Sequence, residues 1–226
     1  MKMKKIAVAC SAAVMGLSSL GMSSAALADD MGLSFSANVA LTSNYVFRGL
    51  TLSDEDPALQ GGFDAEHTSG LYAGVWGSGI DQVAGAETEL DVYIGWTGEF
   101  GPVGVDVGVL EYMYPGSSPD ADYTEFYIGA SGEIGPVGVG VTYYDADEFS
   151  DQSTWEFSGE VPVGMFTLAA VYGTNDFDST GDDYDWWSLG ASTELGGFGF
   201  DLTFSDTDGV AGGDEDQVAF TISKSL

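Results

Sequence analysis

Positive charge is what this sequence lacks most. Of 226 residues only 5 are Lys or Arg, against 36 Asp or Glu, and the formal net charge is −31. A chain this acidic cannot neutralise phosphate groups, which excludes nucleic-acid binding. It equally excludes docking to an anionic lipid surface through a basic patch.

Cysteine and histidine are almost absent as well. Cys10 and His67 are the single representatives of their types. The sequence therefore lacks the residues for a disulfide framework, a thiol nucleophile, a His-ligated metal site or a Ser-His-Asp triad. Carboxylates are so frequent that no pair of them indicates a hydrolase. We expect no enzyme activity, no catalytic residues, no cofactor and no metal site.

The first 28 residues have the pattern of a cleavable secretory signal peptide. Lys2, Lys4 and Lys5 are basic, residues 6–22 are small or apolar, and Ala-Leu-Ala at 26–28 is a typical cleavage signature. The apolar run is too short and too rich in Ser, Gly and Ala for a membrane anchor. We expect export through the Sec pathway and a mature domain at residues 29–226.

The mature sequence shows apolar residues at every second position, which predicts β-strands with two different faces. In one example Leu90, Val92 and Ile94 alternate with Glu89 and Asp91. Outside the signal no segment has helical periodicity. The predicted strands cover residues 33–47, 58–67, 71–80, 88–98, 103–114, 122–132, 137–144, 153–160, 165–174, 184–194, 198–206 and 215–224.

The connections between these segments are of two kinds. The short, Gly/Pro-rich kind comprises Thr68–Gly70, Phe100–Pro102, Ile134–Pro136, Val161–Gly164 and Leu195–Gly197. The longer, acidic kind comprises Ser53–Pro57, Asp81–Glu87, Pro115–Asp122, Asp145–Gln152, Asn175–Asp183 and Ser205–Asp216. Short turns on one side and long loops on the other, with an even strand count, are typical of outer-membrane barrels. We predict an all-β, antiparallel up-and-down transmembrane barrel of about twelve strands, with ten or fourteen as alternatives and both termini in the periplasm.

Aromatic residues indicate which face meets lipid. They concentrate near the strand ends, as in the girdles at the two membrane interfaces. The predicted girdle consists of Trp96, Tyr112, Tyr114, Tyr143, Tyr144, Phe166, Tyr172, Trp187 and Phe198. The alternative is a secreted soluble β-protein that buries the same apolar stripe in its core.

The opposite face is small and polar and would line a lumen. The predicted lining residues are Arg48, Asp64, Glu66, Glu89, Asp91, Asp106, Glu125, Glu156 and Asp201. With one base among eight acids, such a pore should prefer cations. If the first strand continues to residue 47, Arg48 should pair first with Asp64 or Glu66, either as a constriction element or as a structural clamp.

Several motifs resemble one family of porins. They are NYVFRG at Asn44–Gly49, Ser53–Asp64, LYAGVWGS at Leu71–Ser78, Glu89–Gly101, Tyr112–Gly116 and DYTEFYIGAS at Asp122–Ser131. Together they resemble the TorF family, a conserved group of proteobacterial outer-membrane proteins. The resemblance covers the mature chain and implies a Gram-negative outer-membrane porin architecture without a defined substrate.

Two functions follow as hypotheses. The first is a porin for passive, cation-preferring diffusion of small solutes. The alternative is a non-conducting outer-membrane barrel that acts as a surface or assembly scaffold through its acidic loops. The expected partners are membrane lipid, lipopolysaccharide, the outer-membrane assembly machinery and small solutes, whereas the sequence indicates neither the solute nor the oligomeric state.

Overall fold

The computed structural model describes residues 32–118, 121–146, 151–178, 181–210 and 216–226, which form an all-β structure. No helix in these ranges is long and apolar enough to span a membrane. The predicted signal peptide at 1–28 lies outside the described residues and stays a prediction. The same holds for parts of four predicted long loops, namely residues 119–120, 147–150, 179–180 and 211–215.

Twelve antiparallel strands close into one barrel, which confirms the predicted fold. The elements in chain order are β1 Leu33–Thr42, β2 Val46–Phe47, β3 Leu50–Thr51, β4 Ala58–His67, β5 Leu71–Val83, β6 Ala86–Phe100, β7 Val103–Met113, β8 Tyr123–Ile134, β9 Val137–Ala146, β10 Gln152–Val163, β11 Phe166–Phe177, β12 Tyr184–Leu195, β13 Phe198–Asp208 and β14 Asp216–Ser225. All except β2 and β3 belong to the barrel wall, and consecutive wall strands are neighbours.

The wall closes between its first and last strands. β1 pairs with β14 on one side and with β4 on the other, where the register runs from Leu33–His67 to Thr42–Ala58. Closure gives every wall strand a hydrogen-bonded neighbour on both sides, as hydrocarbon requires. Residues 43–57 are therefore not needed to complete the wall.

The apolar stripe of each strand faces outward. On β6, Val92 and Ile94 are 43% and 60% exposed, whereas Glu89 and Asp91 are buried inside the barrel. The large exposed apolar side chains repeat this pattern around the barrel, with Phe63, Phe126 and Leu189 among them. A soluble core would have the opposite arrangement, and the outer surface instead suits contact with lipid.

One predicted long loop is a tight turn. The prediction placed an acidic loop at Asp81–Glu87, but β5 and β6 continue to a two-residue connection at Ala84 and Gly85. Both residues have positive φ, 50° and 89°, which matches a tight hairpin turn. The alternation of apolar residues breaks near Gly79, where the ladder has a register shift, so periodicity ends before the strand does.

The first strand is shorter than predicted. β1 ends at Thr42 rather than at residue 47, and the chain then turns into the barrel interior. β2 and β3 pair as a small hairpin with Arg48 and Gly49 at its turn, where φ is 48° and 85°. We call residues 43–57 the inner hairpin.

Aromatic side chains inside the barrel lie over glycines of neighbouring strands. A Cβ at Gly95 would overlap the Tyr72 hydroxyl and lie 2.8 Å from the carbonyl oxygen of Val107. Tyr127 covers Gly108 in the same way. Glycine is needed at these two positions because the tyrosine ring occupies the volume that any larger side chain would take.

Replacing Gly95 with Ala should destabilise the barrel by about 1 to 2 kcal/mol, because a well-packed wall must shift to accept the methyl group. The loss of stability is measured as the unfolding midpoint in urea. Folded and unfolded barrel are distinguished by their different mobility on a gel run without heating. Gly159→Ala is the matched control, since its Cβ would meet only the Gly138 carbonyl oxygen at 3.9 Å. Equal midpoints for the two variants would contradict the packing account.

Candidate functional site

The barrel interior is closed in the half near the long loops. Every wall strand contributes an inward side chain that is no more than 5% exposed. We call this set the closed level; it comprises Thr42, Ala58, Trp76, Asp91, Tyr112, Glu125, Tyr144, Thr154, Asn175, Trp186, Thr207 and Gln217. The inner hairpin fills the space that these side chains enclose, because its Asn44, Tyr45, Arg48 and Ser53 are buried too.

Arg48 lies at the centre of this filling. Its Nη2 donates to both carboxylate oxygens of Glu125, at 2.8 and 2.9 Å, and both side chains are 1% exposed. The guanidinium also lies 4.8 Å from the ring centroids of Phe47 and Tyr144. Burial opposes the charged guanidinium, but Glu125 together with the surrounding Tyr112, Tyr123 and Tyr144 outweighs this, and the pKa of Arg48 is raised above its usual range.

The predicted partners of Arg48 were wrong. Asp64 and Glu66 lie on β4 towards the short turns, whereas Glu125 lies on β8 in the closed level. The prediction assumed that the first strand continues, which would have left Arg48 on the wall beside β4. Because the chain turns inward after Thr42, Arg48 instead reaches across the lumen.

The inner hairpin contacts the wall at several points. Asn44 donates through Nδ2 to Oε1 of Gln217 on β14 at 2.8 Å, and the Asp81 amide of β5 donates to the Leu52 carbonyl at 2.7 Å. At the turn, a Cβ on Gly49 would lie 2.8 Å from Trp186 Cβ and 2.6 Å from Thr207 Cγ2. The segment therefore spans the lumen from one wall to the other.

Acidic side chains surround the inner hairpin. Glu89 is buried and accepts from the Tyr114 hydroxyl at 3.2 Å. Neither carboxylate oxygen of Asp91 has a hydrogen-bond partner among the described residues, and Oε2 of Glu89 and of Glu156 has none there either. Arg48 is the one positive charge that the described residues place within this group.

Nearer the short turns, tyrosine and threonine hydroxyls bind three further interior acids. Tyr93 donates to Asp64, and Tyr72 donates to Oδ1 of Asp106 at 2.6 Å. On the far wall Thr203 donates to Asp201 at 2.8 Å. All the predicted wall acids thus lie on the inner face, while their role in permeation stays a prediction.

Further acids at the short-turn mouth were missed from the sequence. Strand alternation places one glutamate on the inner face near the end of every second wall strand from β4 to β12. We call them the mouth carboxylates: Glu66, Glu99, Glu133, Glu160 and Glu194. All except the half-buried Glu160 are exposed.

A sequence signal for the mouth carboxylates was available. The near-repeats that begin at Gly98 and Gly132 place Glu99 and Glu133 at the same distance before a Gly-Pro turn. The repeated unit is a hairpin, and the common position of its acid marks the inner face beside each of these two turns. Of the mouth carboxylates only Glu66 was among the predicted lining residues.

The aromatic girdle needs a correction. Tyr112, Tyr114 and Tyr144 are at most 7% exposed and face the interior, so they are not at the lipid surface. Neighbouring residues on a strand point to opposite faces, so Tyr143 and Tyr144 could not both face lipid. Tyr112 shares its face with Asp106 and therefore points inward.

The other predicted girdle residues lie on the outer surface. Phe166, Tyr172, Trp187 and Phe198 are exposed, while Trp96 and Tyr143 are half-buried. Trp96 donates through Nε1 to the Ser69 carbonyl at 3.0 Å, beside the first short turn. An aromatic ring with its polar atom bonded at the end of a strand suits a membrane interface.

The second basic residue of the described chain is outside the lumen. Lys224 donates to the Gly197 carbonyl at 2.6 Å and lies 5.2 Å from the Phe198 ring centroid, on the outer face. In the described ranges no group of three or more His, Cys, Asp or Glu could hold a metal ion. Arg48 is thus the single positive side chain inside the described barrel.

Comparison with solved structures identifies similar barrels. A structure titled "KdgM porin" matches with a TM-score of 0.62 and 8% identity over 84% of this chain and 99% of that one. "KdgM porin in complex with disordered oligogalacturonate" matches with a TM-score of 0.58 and 6% identity over 85% of this chain and 97% of that one. At such low identity the likeness shows the fold alone, which is that of an outer-membrane porin.

Sequence comparison gives one family. No curated protein matches the chain. The name TorF is not the one under which a family model matches, so that assignment stays a resemblance. The model that matches, over residues 26–225, is described as "Bacterial protein of unknown function (Gcw_chp)". Since it covers nearly the whole sequence, this chain belongs to the Gcw_chp family.

Proposed function

We propose that this protein is an outer-membrane porin for passive diffusion of small solutes, with a preference for cations. The observation that carries the proposal is the charge of the interior, where Arg48 is the single base among many carboxylates. In a channel with low-dielectric walls, such charges raise the local concentration of cations and exclude anions. The mouth carboxylates add to this field at the end where the lumen is hydrated.

The ligand in the KdgM structure does not transfer to this chain. An oligogalacturonate is a polyanion, and the acidic interior described above would repel it. Small cationic or neutral solutes fit the interior better, because they either gain from the field or are unaffected by it.

The proposed location is the bacterial outer membrane. Its apolar outer surface would contact lipid and lipopolysaccharide, and export by the Sec pathway would precede insertion by the outer-membrane assembly machinery. The aromatic residues Tyr172 and Trp187 at one end and Phe166 and Phe198 at the other would lie at the two interfaces. We propose no enzyme activity, since no catalytic group is needed for diffusion.

Planar-bilayer recordings test the proposal. With purified protein and a potassium chloride gradient, we expect discrete conductance steps and a reversal potential of the sign set by potassium. The preference should weaken as ionic strength rises, because the Debye length falls to about 3 Å at 1 M salt. A reversal potential set by chloride would contradict the cation preference.

A second candidate function is favoured by the closed level. All twelve wall strands carry buried inward side chains, so the barrel resembles a filled one. A non-conducting surface or assembly scaffold would have such a filled barrel. Recordings separate the two functions, since a scaffold gives no conductance steps, even when the inner hairpin has been removed.

A further inference from the structure

We infer that the inner hairpin is a movable plug, with the Arg48–Glu125 ion pair as its latch, and that solutes pass when it leaves the lumen. The inference rests on the proposed porin function and adds the regulation of that pore.

The wall does not depend on the inner hairpin. β1 pairs directly with β4 up to Thr42–Ala58, so residues 43–57 enter and leave the lumen at one rim. Hydrogen bonds of Asn44, Arg48 and the Leu52 carbonyl join the segment to the wall, and at its base the Ser43 amide donates to the Phe220 carbonyl while Ser43 Oγ accepts from the Phe220 amide. Displacement would break these contacts while every wall ladder stays intact.

The interface between hairpin and wall leaves many polar atoms unpaired. In the hairpin these are Nε and Nη1 of Arg48, among the residues that the structure describes. In the facing wall they are both oxygens of Asp91, one oxygen each of Glu89 and Glu156, and the indole nitrogens of Trp76 and Trp186. Each buried, unpaired polar group costs free energy that hydration would recover. Hydration of these groups in an open state would offset part of the free energy lost with the closed-state contacts.

The backbone of the segment carries strain. Arg48, Asp54 and Glu55 are three of the five non-glycine residues with positive φ in the described chain. L-residues rarely adopt this conformation, and it persists where surrounding contacts enforce it. Contacts of Arg48 and Gly49 with the wall thus hold the hairpin turn in place.

Displacement would make the centre of the lumen more acidic. With Arg48 withdrawn, Glu89, Asp91, Glu125 and Glu156 would face water without a neighbouring base. A group of carboxylates on three wall strands would then line the passage for cations. The plug would thus close the same region that gives the pore its selectivity.

A reversible disulfide tests whether the hairpin moves. The double variant Gly49→Cys/Thr207→Cys brings two thiols together where a Gly49 Cβ would meet Thr207, within the reach of a disulfide. The only native cysteine, Cys10, lies in the predicted signal peptide. We expect loss of conductance when the pair is oxidised and its recovery in the same bilayer after reductant is added.

Gly49→Cys alone is the control, because it carries the same backbone strain without a partner thiol, and reductant should not change its conductance. Failure of the disulfide to form, judged by thiol labelling, would overturn the placement of the hairpin. Equal conductance of the oxidised and reduced double variant would overturn its movement, and would leave the porin function standing.

A deletion separates failure of the plug from failure of the porin. Replacing residues 45–52 with two glycines leaves the wall complete, and we expect this barrel to conduct more than the wild type, with cation preference. Conductance equal to wild type would overturn the plug alone. A deleted barrel with no conductance would overturn the porin function itself, and a conducting one with anion preference would overturn the cation preference but support the plug.

Discussion

Replacing Arg48 with Met should raise the ratio of open to closed dwell time by about a hundredfold or more. Removing one partner of a buried ion pair leaves the other charge uncompensated, which costs about 3 to 5 kcal/mol. Here the loss falls on the closed state, because Glu125 regains water when the inner hairpin leaves. Single-channel recordings measure the dwell times. Since the wall is complete without the hairpin, the unfolding temperature of the barrel should change little.

Two variants control for charge and for geometry. Lys224→Met removes the same charge from the outer surface and should leave the dwell times unchanged. Arg48→Lys keeps the charge but loses the planar group that donates to Glu125 and stacks between Phe47 and Tyr144, so an intermediate ratio is expected. If Arg48→Met lowers the unfolding temperature while conductance stays as in wild type, Arg48 is a clamp rather than a latch.

Changing the five mouth carboxylates to glutamine should lower the ratio of cation to anion permeability by about tenfold at low salt. Fixed charges in a narrow opening concentrate counter-ions by that order or more. Four of these five side chains are exposed, and the described chain has no Lys or Arg on the inner face beside them. The reversal potential in a potassium chloride gradient, recorded with the hairpin-deleted barrel, gives the ratio directly.

Position distinguishes this effect from a change of net charge. Glu133→Gln at the mouth should shift the reversal potential, whereas Glu111→Gln should not, because Glu111 lies on the outer face of β7, where Thr124 donates to it. At high salt the shift should shrink as the Debye length falls. Equal shifts for the two single variants would show that the mouth does not set selectivity.

Local chemistry in the sequence was sufficient to predict the wall. Alternation identified the strands and their faces because successive side chains point in turn to lipid and to the lumen. Apolar and polar residues therefore repeat with a period of two. Glycine and proline marked the short turns by their backbone preferences. The turn at Ala84 and Gly85 was missed because acidic residues flank it and resemble those of a loop.

The interior could not be predicted in the same way. Tyr45 and Phe47 continue the alternation beyond Thr42, so nothing local indicates that the chain leaves the wall. An Arg-Gly pair is also a weaker hairpin signal than Asn-Gly or Asp-Gly. The partner of Arg48 is 77 residues away in sequence, and only barrel closure brings it near.

The inward tyrosines show a second limit of sequence patterns. Tyr112 and Tyr144 stand near strand ends, as girdle residues do, yet they face the hairpin and the carboxylates. Their position along the strand resembled that of an interface residue, while their parity with neighbouring polar residues indicated the lumen. Parity was the better guide, because the pleat fixes it and distance from the strand end does not.

Because the barrel wall closes without residues 43–57, one part of the chain holds the barrel together and another part fills its interior. Membrane insertion can rely on the β1–β4 and β1–β14 ladders, whereas the segment between β1 and β4 is not required to close the barrel. Insertions or exchanges within that segment can alter what passes through the protein without changing how it is assembled, so the same cylinder can carry different inserts.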